Sequence, residues 1–491
     1  MPFLQPFGPL AFRVALPSRW VEDLGGRAAL ARALLQMEGI DDALVTETTA
    51  LVVCAHAPSS RTTDALEAEI ARALDVCAAA PLATHATREI DVVYDGPDLV
   101  EVARALEMSE RELVERHTAC ALDVSFLGFV PGFAYLRGLD ARLATVPRRA
   151  SPRPAVPPYS VAIAAGMSAI YPAASPGGWN LIGRAVDFDP LATPLTMGER
   201  IRFRAVPART RTPTSSTTVA ASETRDALEI TAVAGPTLVI DPRPLSRLRH
   251  GAPCGGPLAP SIAMRALRAL GAPSGHALLE RHGALTVVLR GTTARRISDE
   301  RAEAITLAPG QSHTLAAPRD GRVGYVAIEG GLDVPLVLGG RGTLLSVQRG
   351  GHEGRVLRRG DRLPLGPRDA RCAPVEAAEG SSIVGPLPVA RGPDLVSAHG
   401  NAFRVRIAHA SDRTGTRLVP LEPHGLVTRE AESAPTMRGV VQAPPSGELI
   451  VLGPDHPVTG GYPVLGILGP EACDALFARP LGSEVALCLV P

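Results

Sequence analysis

The stretch "SVAIAAGMSAIYPAASPGGWNLIGRAVDF", residues 160–188, falls largely within thirty residues between Arg153 and Arg184 that carry no formal charge. An apolar run of that length is long enough to cross a bilayer as a helix. Pro154, Pro157, Pro158, Pro172 and Pro176, with several glycines, break any such helix. The pieces left between them, "SVAIAAG", "SAIYP" and "WNLIGRAVDF", are short β-type runs, and a membrane span is rejected. Together with "RIRFRAV" they make residues 123–206 a series of short strands separated by Pro and Gly, the pattern of a barrel or sandwich.

Upstream, residues 11 to about 90 alternate strand, helix, strand, helix: "AFRVAL", "GGRAALARALLQM", "ALVTETTALVVCAH" and "RTTDALEAEIARALDV". In the last, Leu66, Ile70 and Leu74 share one helical face. A small α+β lobe fits. Asp98 or Pro97 opens the next helix, and Ser109 with Glu112 forms a capping box for the one after. Downstream, "PARTRTPTSSTTVAASETRD" (207–226) is rich in Ser, Thr and Ala without periodicity and reads as a linker. Beyond it lies a second β-rich half, interrupted by the helical "PSIAMRALRAL" and long enough for two sub-barrels. The divisions are 1–110 (α+β lobe), 111–206 (barrel), 207–226 (linker) and 227–491 (second half).

Composition limits the chemistry. At 491 residues the chain exceeds one core, and about three units are expected. Acidic and basic residues balance at 50 each, so no bulk field favours nucleic acid or anionic membrane. All 50 basic residues are arginine. A phosphate-loop lysine, a biotinylated lysine and a Schiff-base lysine are therefore excluded from this chain. Seven dispersed cysteines without a C-x-x-C pair suggest neither a disulfide framework nor a zinc site, and no metal ligand set is expected. The start lacks the basic and apolar regions of a signal peptide, which makes a reducing cytoplasm the expected compartment.

Several residues carry chemical potential. In "FLGFVPGFAYLRGL" (126–139), Gly128 and Gly132 permit close approaches, Pro131 stiffens the turn, and Phe129, Phe133 and Tyr135 offer flat walls, beside Arg137. The segment is either a tight structural corner or the rim of a pocket. His117 is either a general base or the cap of its helix. Arg148, Arg149 and Arg153 are a proline-bounded group suited to a carboxylate or phosphate, against the plainer reading of solvated arginines. In "SPGGW", Gly177 and Gly178 can present N–H groups to an oxyanion with Trp179 closing the site, or Trp179 is simply core. The second half adds Asp412, Arg413, Arg417, Gln442, Asp455, Thr459, Gly460, Gly461 and Tyr462, groups able to hold an amide or carboxylate, although Asp455 reads equally as a turn residue.

Longer strings point to a family. "HTACALDVSFLGFVPGFAYLRGL", "VPRRASPRPAVPP", "SVAIAAG" and "IYPAASPGGWNLIGR" resemble the B subunit of 5-oxoprolinase, the first allophanate-hydrolase-type subunit. "GPTLVIDPR", "GYVAIEGGLDVPLVLGGR", "SDRTGTRL", "RGVVQAPPSGELIVLGPDHPVTGGYP" and "LGSEVALCLVP" resemble the C subunit of the same system. The resemblance implies a β-rich α+β protein, with a small N-terminal α+β lobe followed by cyclophilin-like β-barrels in both halves and tandem barrels in the second. It also implies a fused B–C component of an ATP-dependent 5-oxoprolinase, which activates the lactam carbonyl for ring opening to glutamate with a separate A-type 5-oxoprolinase protein. Magnesium would accompany the ATP.

On this reading His117, Tyr135, Arg413 and Gln442 are expected to be catalytic. Arg148, Arg153, Gly177, Gly178, Trp179, Asp455, Thr459 and Gly460 are expected to bind substrate or ATP. Expected partners are the A-type 5-oxoprolinase protein and a small amide, with no nucleic acid and no membrane; a homo-oligomer is also allowed. The same paired module occurs in urea carboxylase, which gives a second reading, carboxyl transfer to an amide from biotin carried in trans. A third is a non-catalytic regulatory protein resembling a kinase inhibitor. It is favoured by departures from the C-type pattern: Gly255 for a serine, Ala259 for an aspartate, Leu267 for an asparagine, Leu344 for an acid and Pro457-Val458 for Gln-Thr. In the first half, Tyr159 stands where glycine is usual.

Overall fold

The computed structural model describes residues 4–78, 80–82, 87–208, 226–243, 245, 247–318, 321–368, 383, 385–422 and 425–490. The N-terminal lobe is a four-stranded antiparallel sheet in the order Leu4–Pro6, Ala11–Ala15, Thr49–Cys54, Ile40–Val45. The stretch expected as one strand, "ALVTETTALVVCAH", folds back on itself, because Thr46 bonds Thr49 through both its N–H and its hydroxyl and closes a hairpin turn. Helices Leu24–Leu34 and Ser60–Cys77 bury Leu30, Leu34, Leu66 and Ile70 against Val14, Val52 and Trp20. Each helix starts where a side-chain oxygen accepts an orphan N–H: Asp23 from Gly26 and Ser59 from Thr62.

Seven strands then close a barrel in the order Met167–Ile170, Ala134–Arg137, Leu122–Leu127, Arg200–Ala205, Arg88–Val93, Asn180–Val186, Ser160–Ala164. The strand Arg88–Val93 lies ahead of the expected boundary at residue 111, so in space the barrel begins near residue 88. Two helices, Leu99–Ala105 and Glu110–Ala119, are carried between its first two strands. Ser109 caps the second through the Glu112 N–H at 3.1 Å, but the Glu112 carboxylate turns to Arg116 at 2.9 Å, so half of the capping box forms. Strands Arg153–Val156 and Ser175–Gly177 pair beside the barrel as a two-stranded flap.

Most of the expected linker, residues 209–225, lies outside the described residues. The second half opens with two facing sheets, one of four strands and one of five, which share a core that includes Leu228, Val239, Leu279, Val287, Ile297 and Val326. Among the described residues this layer is a sandwich; the tandem barrel expected there is replaced by two sheets whose inner faces pack together. A second seven-stranded closed barrel follows, ordered Leu387–Arg391, Val464–Leu468, Val440–Gln442, Leu449–Leu452, Gly415–Pro420, Ala402–Ile407, Glu484–Val490. The helix Pro260–Leu270 joins sandwich to barrel through Ala263, Ala266, Leu267 and Leu270. The molecule is thus strand-rich with a closed barrel in each half. In both barrels the first and last strands in the chain lie side by side and run parallel.

The halves are packed together. Phe7, Leu44 and Leu51 of the lobe share a core with Leu248, Val440 and Ile467. Leu191 packs with Leu344 and Val347. Among the described residues, no helix is long and apolar enough to cross a membrane, and no group of three or more His, Cys, Asp or Glu is placed to hold a metal ion. Cys54, Cys77, Cys120, Cys254, Cys473 and Cys488 are free thiols.

Candidate functional site

The hairpin formed by Leu122–Leu127 and Ala134–Arg137 carries a bulge between Val124 and Phe126. Its connecting loop forces Phe129 into the left-handed region at φ 67°. That conformation costs a bulky side chain about 1–2 kcal/mol, so the surroundings must hold it. Phe126 stacks on Tyr135 at 4.2 Å. Phe133 lies edge-on to Tyr135, Tyr171 and Trp179 at 4.9, 5.2 and 5.9 Å. Phe133, Tyr171 and Trp179 form the buried floor, and Phe129, Val130, Tyr135 and Met167 the half-buried margin. The "SPGGW" turn belongs to the same cluster. A Cβ on Gly177 would collide with the Tyr171 hydroxyl oxygen, so this glycine makes room for a phenol. The Trp179 backbone N–H is directed to that same oxygen.

Charge surrounds the aromatic floor. Burial pushes the Tyr135 phenol up to about 12, with the exposed Arg148 pulling the other way, so Tyr135 is a neutral hydrogen-bond donor near pH 7. Burial also raises Tyr171, against the pull of Arg148 and Arg153. Arg149 and Arg153 converge on Oδ1 of the buried Asp98 at 2.8 and 2.6 Å, while Oδ2 accepts the Leu181 N–H at 2.7 Å. The exposed Glu101 carboxylate stands 4.0 Å from Arg149 Nη1 as a second, looser partner. Arg149 Nε and Arg153 Nη1 are buried with no acceptor among the described residues, an arrangement that favours an incoming anion. Gly178 offers its carbonyl to the Arg149 N–H at 2.8 Å, so it is in part a backbone partner of the arginine loop.

Other expected site residues lie elsewhere. His117 is fully buried in the barrel core. Its Nδ1 meets the Tyr94 hydroxyl at 2.7 Å, its Nε2 meets the Ser168 hydroxyl at 3.0 Å, and its ring stacks on Phe203. Burial lowers its pKa to about 3. The general-base expectation is corrected: a dry, fully bonded imidazole cannot exchange a proton with a substrate. Arg413 is likewise enclosed, with Nη1 on Glu280 at 2.5 Å, Nε and Nη2 on Asp455 at 2.7 and 3.0 Å, and Nη2 also on the Gly256 carbonyl. Burial would raise the Glu280 pKa, but Arg413, His282 and the Leu258 N–H outweigh it and hold the carboxyl well below its usual range. Arg413 thus spends four of its five N–H donors inside an ion cluster with Glu280 and Asp455.

Gln442 is buried, with Nε2 lacking an acceptor among the described residues, and Gly460 lies against it: a Cβ there would come within 2.6 Å of Nε2. Thr459 crosses to the first half, where its hydroxyl accepts the Phe129 N–H at 3.4 Å. Three of the departures noted in the sequence are apolar fillings here. Ala259, Leu267 and Leu344 are all buried in hydrophobic cores. Tyr159 does occupy a glycine-like conformation, φ 64°, with its hydroxyl bonded by Arg349 at 2.7 Å. Asp98, Tyr171 and the strained Phe129 are the functional candidates that sequence reasoning missed or read differently. Two concavities elsewhere, about 210 Å³ near Arg281, Glu300 and His313 and about 550 Å³ along Glu112, Arg116 and Asp140, do not include the aromatic cluster.

Known proteins match both halves. Residues 3–197 match the family described as "Carboxyltransferase domain, subdomain C and D", and residues 250–488 match "Carboxyltransferase domain, subdomain A and B". The chain is 42% identical over 123 residues to the B subunit of 5-oxoprolinase from Bacillus subtilis (strain 168), covering 23% of this chain and 51% of that protein. It is 36% identical over 182 residues to the C subunit of 5-oxoprolinase from Escherichia coli (strain K12), covering 36% of this chain and 59% of that protein. The chain thus spans about half the length of the curated relatives it matches. The crystal structure of TTHA0988 shares 28% sequence identity and a TM-score of 0.72, over 98% of this chain and 99% of that one. The chain belongs to the carboxyltransferase-domain family, with subdomains C and D in its first half and A and B in its second.

Proposed function

We propose that this protein is the fused B–C component of an ATP-dependent 5-oxoprolinase, which activates a lactam carbonyl so that a separate A-type protein can complete ring opening. The observation that carries the reading is the combination on one chain of a B-type and a C-type half that share a core, with the aromatic and arginine cluster in the first. In this reading the aromatic floor receives the flat five-membered lactam. The partly unpaired guanidiniums of Arg149 and Arg153, with Arg148 at the rim, hold an anionic group, either the substrate carboxylate or a nucleotide phosphate. The neutral Tyr135 phenol donates to an oxygen that gains negative charge. Magnesium would arrive on the phosphates of ATP.

Purified chain mixed with its A-type partner, ATP and 5-oxoproline is expected to yield glutamate in step with ATP hydrolysis, and omission of either protein abolishes it. ATP hydrolysis and glutamate formation that proceed equally well without this chain would overturn the proposal. The family's carboxyltransferase description favours one second reading, carboxyl transfer with biotin carried by another protein. Loss of label from a ¹⁴C-carboxybiotinyl carrier on addition of this chain and an amide, without any ATP requirement, would replace the first reading by the second.

A further inference from the structure

The loop 127–133 is closed by its own backbone bonds, Gly128 N–H to the Phe133 carbonyl and Phe133 N–H to the Val130 carbonyl, and the second half grips it as well. The Gly132 N–H bonds the His250 carbonyl at 3.1 Å, and the Phe129 N–H reaches the Thr459 hydroxyl at 3.4 Å. Gly128 lies so close to Thr459 that a Cβ would fall 3.1 Å from that hydroxyl oxygen. Gly251, at φ 66°, has its virtual Cβ 3.0 Å from the Gly128 nitrogen, so the turn Leu248–Gly251 presses on the same backbone from another side. Val130 packs between Leu191 of the first half and Leu344 and Val347 of the second.

These contacts bear on the site because the loop carries its strained residue. Phe129 at φ 67° packs edge-on against Phe133 and Tyr171, and the Tyr171 hydroxyl fills the space left by Gly177. Thr459 is itself anchored: it pairs with Pro435 in a short ladder, and the neighbouring Thr436 N–H bonds the Val458 carbonyl. A left-handed phenylalanine held across an interface is a wall whose position depends on that interface.

We propose that Thr459 is a positioning residue, and that the second half, by clasping Phe129 through it, sets the position of the first-half aromatic cluster. Docking of the halves and ligand binding at that cluster are then coupled, and by linkage each strengthens the other. The inference rests on the cluster as the ligand site proposed above, but its first readout does not need a ligand.

The test compares the full-length protein with Thr459→Val, which keeps the shape and removes the hydroxyl, and Thr459→Ser, which keeps the hydroxyl. Hydrogen exchange in a peptide spanning residues 126–135 is expected to quicken at least tenfold in Thr459→Val and to return to the parent rate in Thr459→Ser. Intrinsic fluorescence should report a changed environment at Trp179 in the valine variant alone. In a 5-oxoproline titration, Thr459→Val should weaken binding five- to tenfold, and in the reconstituted system KM should rise by more than kcat falls. Exchange and emission identical to the parent protein would overturn the clasp. Parent protein that fails to bind 5-oxoproline would sink the functional reading while leaving the exchange comparison decisive. Should Thr459→Val not fold, Thr459→Ala removes the same hydroxyl without the bulk and is read in the same way.

Discussion

Each half holds arginine beside a buried carboxylate, and the two arrangements differ in how many bonds are left over. In the second half, Arg413 spends its donors on Glu280, Asp455 and the Gly256 carbonyl, and Glu280 is further bonded by Leu258 N–H and Tyr325. In the first, Arg149 and Arg153 share one oxygen of Asp98 and retain an unpaired Nε and Nη1. A closed ion cluster fixes a fold, whereas one with unused donors has bonds left to offer.

That contrast predicts its own failures. Arg413→Met should be the most damaging change, costing about 3–5 kcal/mol because it strands the buried Glu280 and the part-buried Asp455, as read by urea denaturation. A loss below about 1 kcal/mol, the range of an exposed pair, would show that the cluster is not sealed. Arg153→Leu should leave the fold largely intact and weaken an anionic ligand such as 5-oxoproline by about 1.5–3 kcal/mol, the worth of a charge-assisted hydrogen bond, measured by calorimetric titration. Equal affinities in variant and parent would make the first-half arginines as structural as Arg413.

Gly177→Ala should cost about 1–3 kcal/mol by pushing a methyl group against the Tyr171 hydroxyl, and Trp179 fluorescence should shift with it. An unchanged melting temperature and spectrum would return Gly177 to an oxyanion role. A further effect concerns pH. The His117 pKa, about 3 when folded, lies below its unfolded value, so the unfolded chain takes up a proton that the folded chain refuses. Stability from this group is complete above about pH 6.5 and falls by roughly 1.4 kcal/mol per pH unit as pH drops towards 3. Asp42, buried between the halves and raised to about 6, acts in the opposite sense between its unfolded value and pH 6. Denaturation of His117→Phe at pH 4, 5, 6 and 7 should therefore show an acid limb shallower by about one proton; an unaltered limb would mean that solvent reaches the imidazole.

The sequence makes part of this visible. Prolines and glycines punctuate residues 123–206 so regularly that short strands are the natural reading, and the aromatic residues of the loop and of "SPGGW" are legible as flat groups near turns. Their convergence is not, because Phe129, Tyr171 and Trp179 meet only when the strands wrap into a barrel. Asp98 is readable as a helix opener, and it does precede the helix Leu99–Ala105; its carboxylate makes no cap bond and turns to arginines 51 and 55 residues away. His117 and Arg413 look reactive in sequence because residue type says nothing about what a side chain is buried against. Tyr159 in a glycine place is a local signal, and its positive φ fits it.

The parallel pairing of first and last strands has a consequence for biosynthesis. Arg88–Val93 cannot find Arg200–Ala205, nor Leu387–Arg391 find Glu484–Val490, until more than a hundred or nearly a hundred further residues have left the ribosome. During that interval each nascent cylinder is an open sheet with two bare rims, the state most exposed to wrong strand partners. Chains interrupted shortly before residue 200 or residue 484 should therefore aggregate far more readily than chains released just after either closing strand is complete.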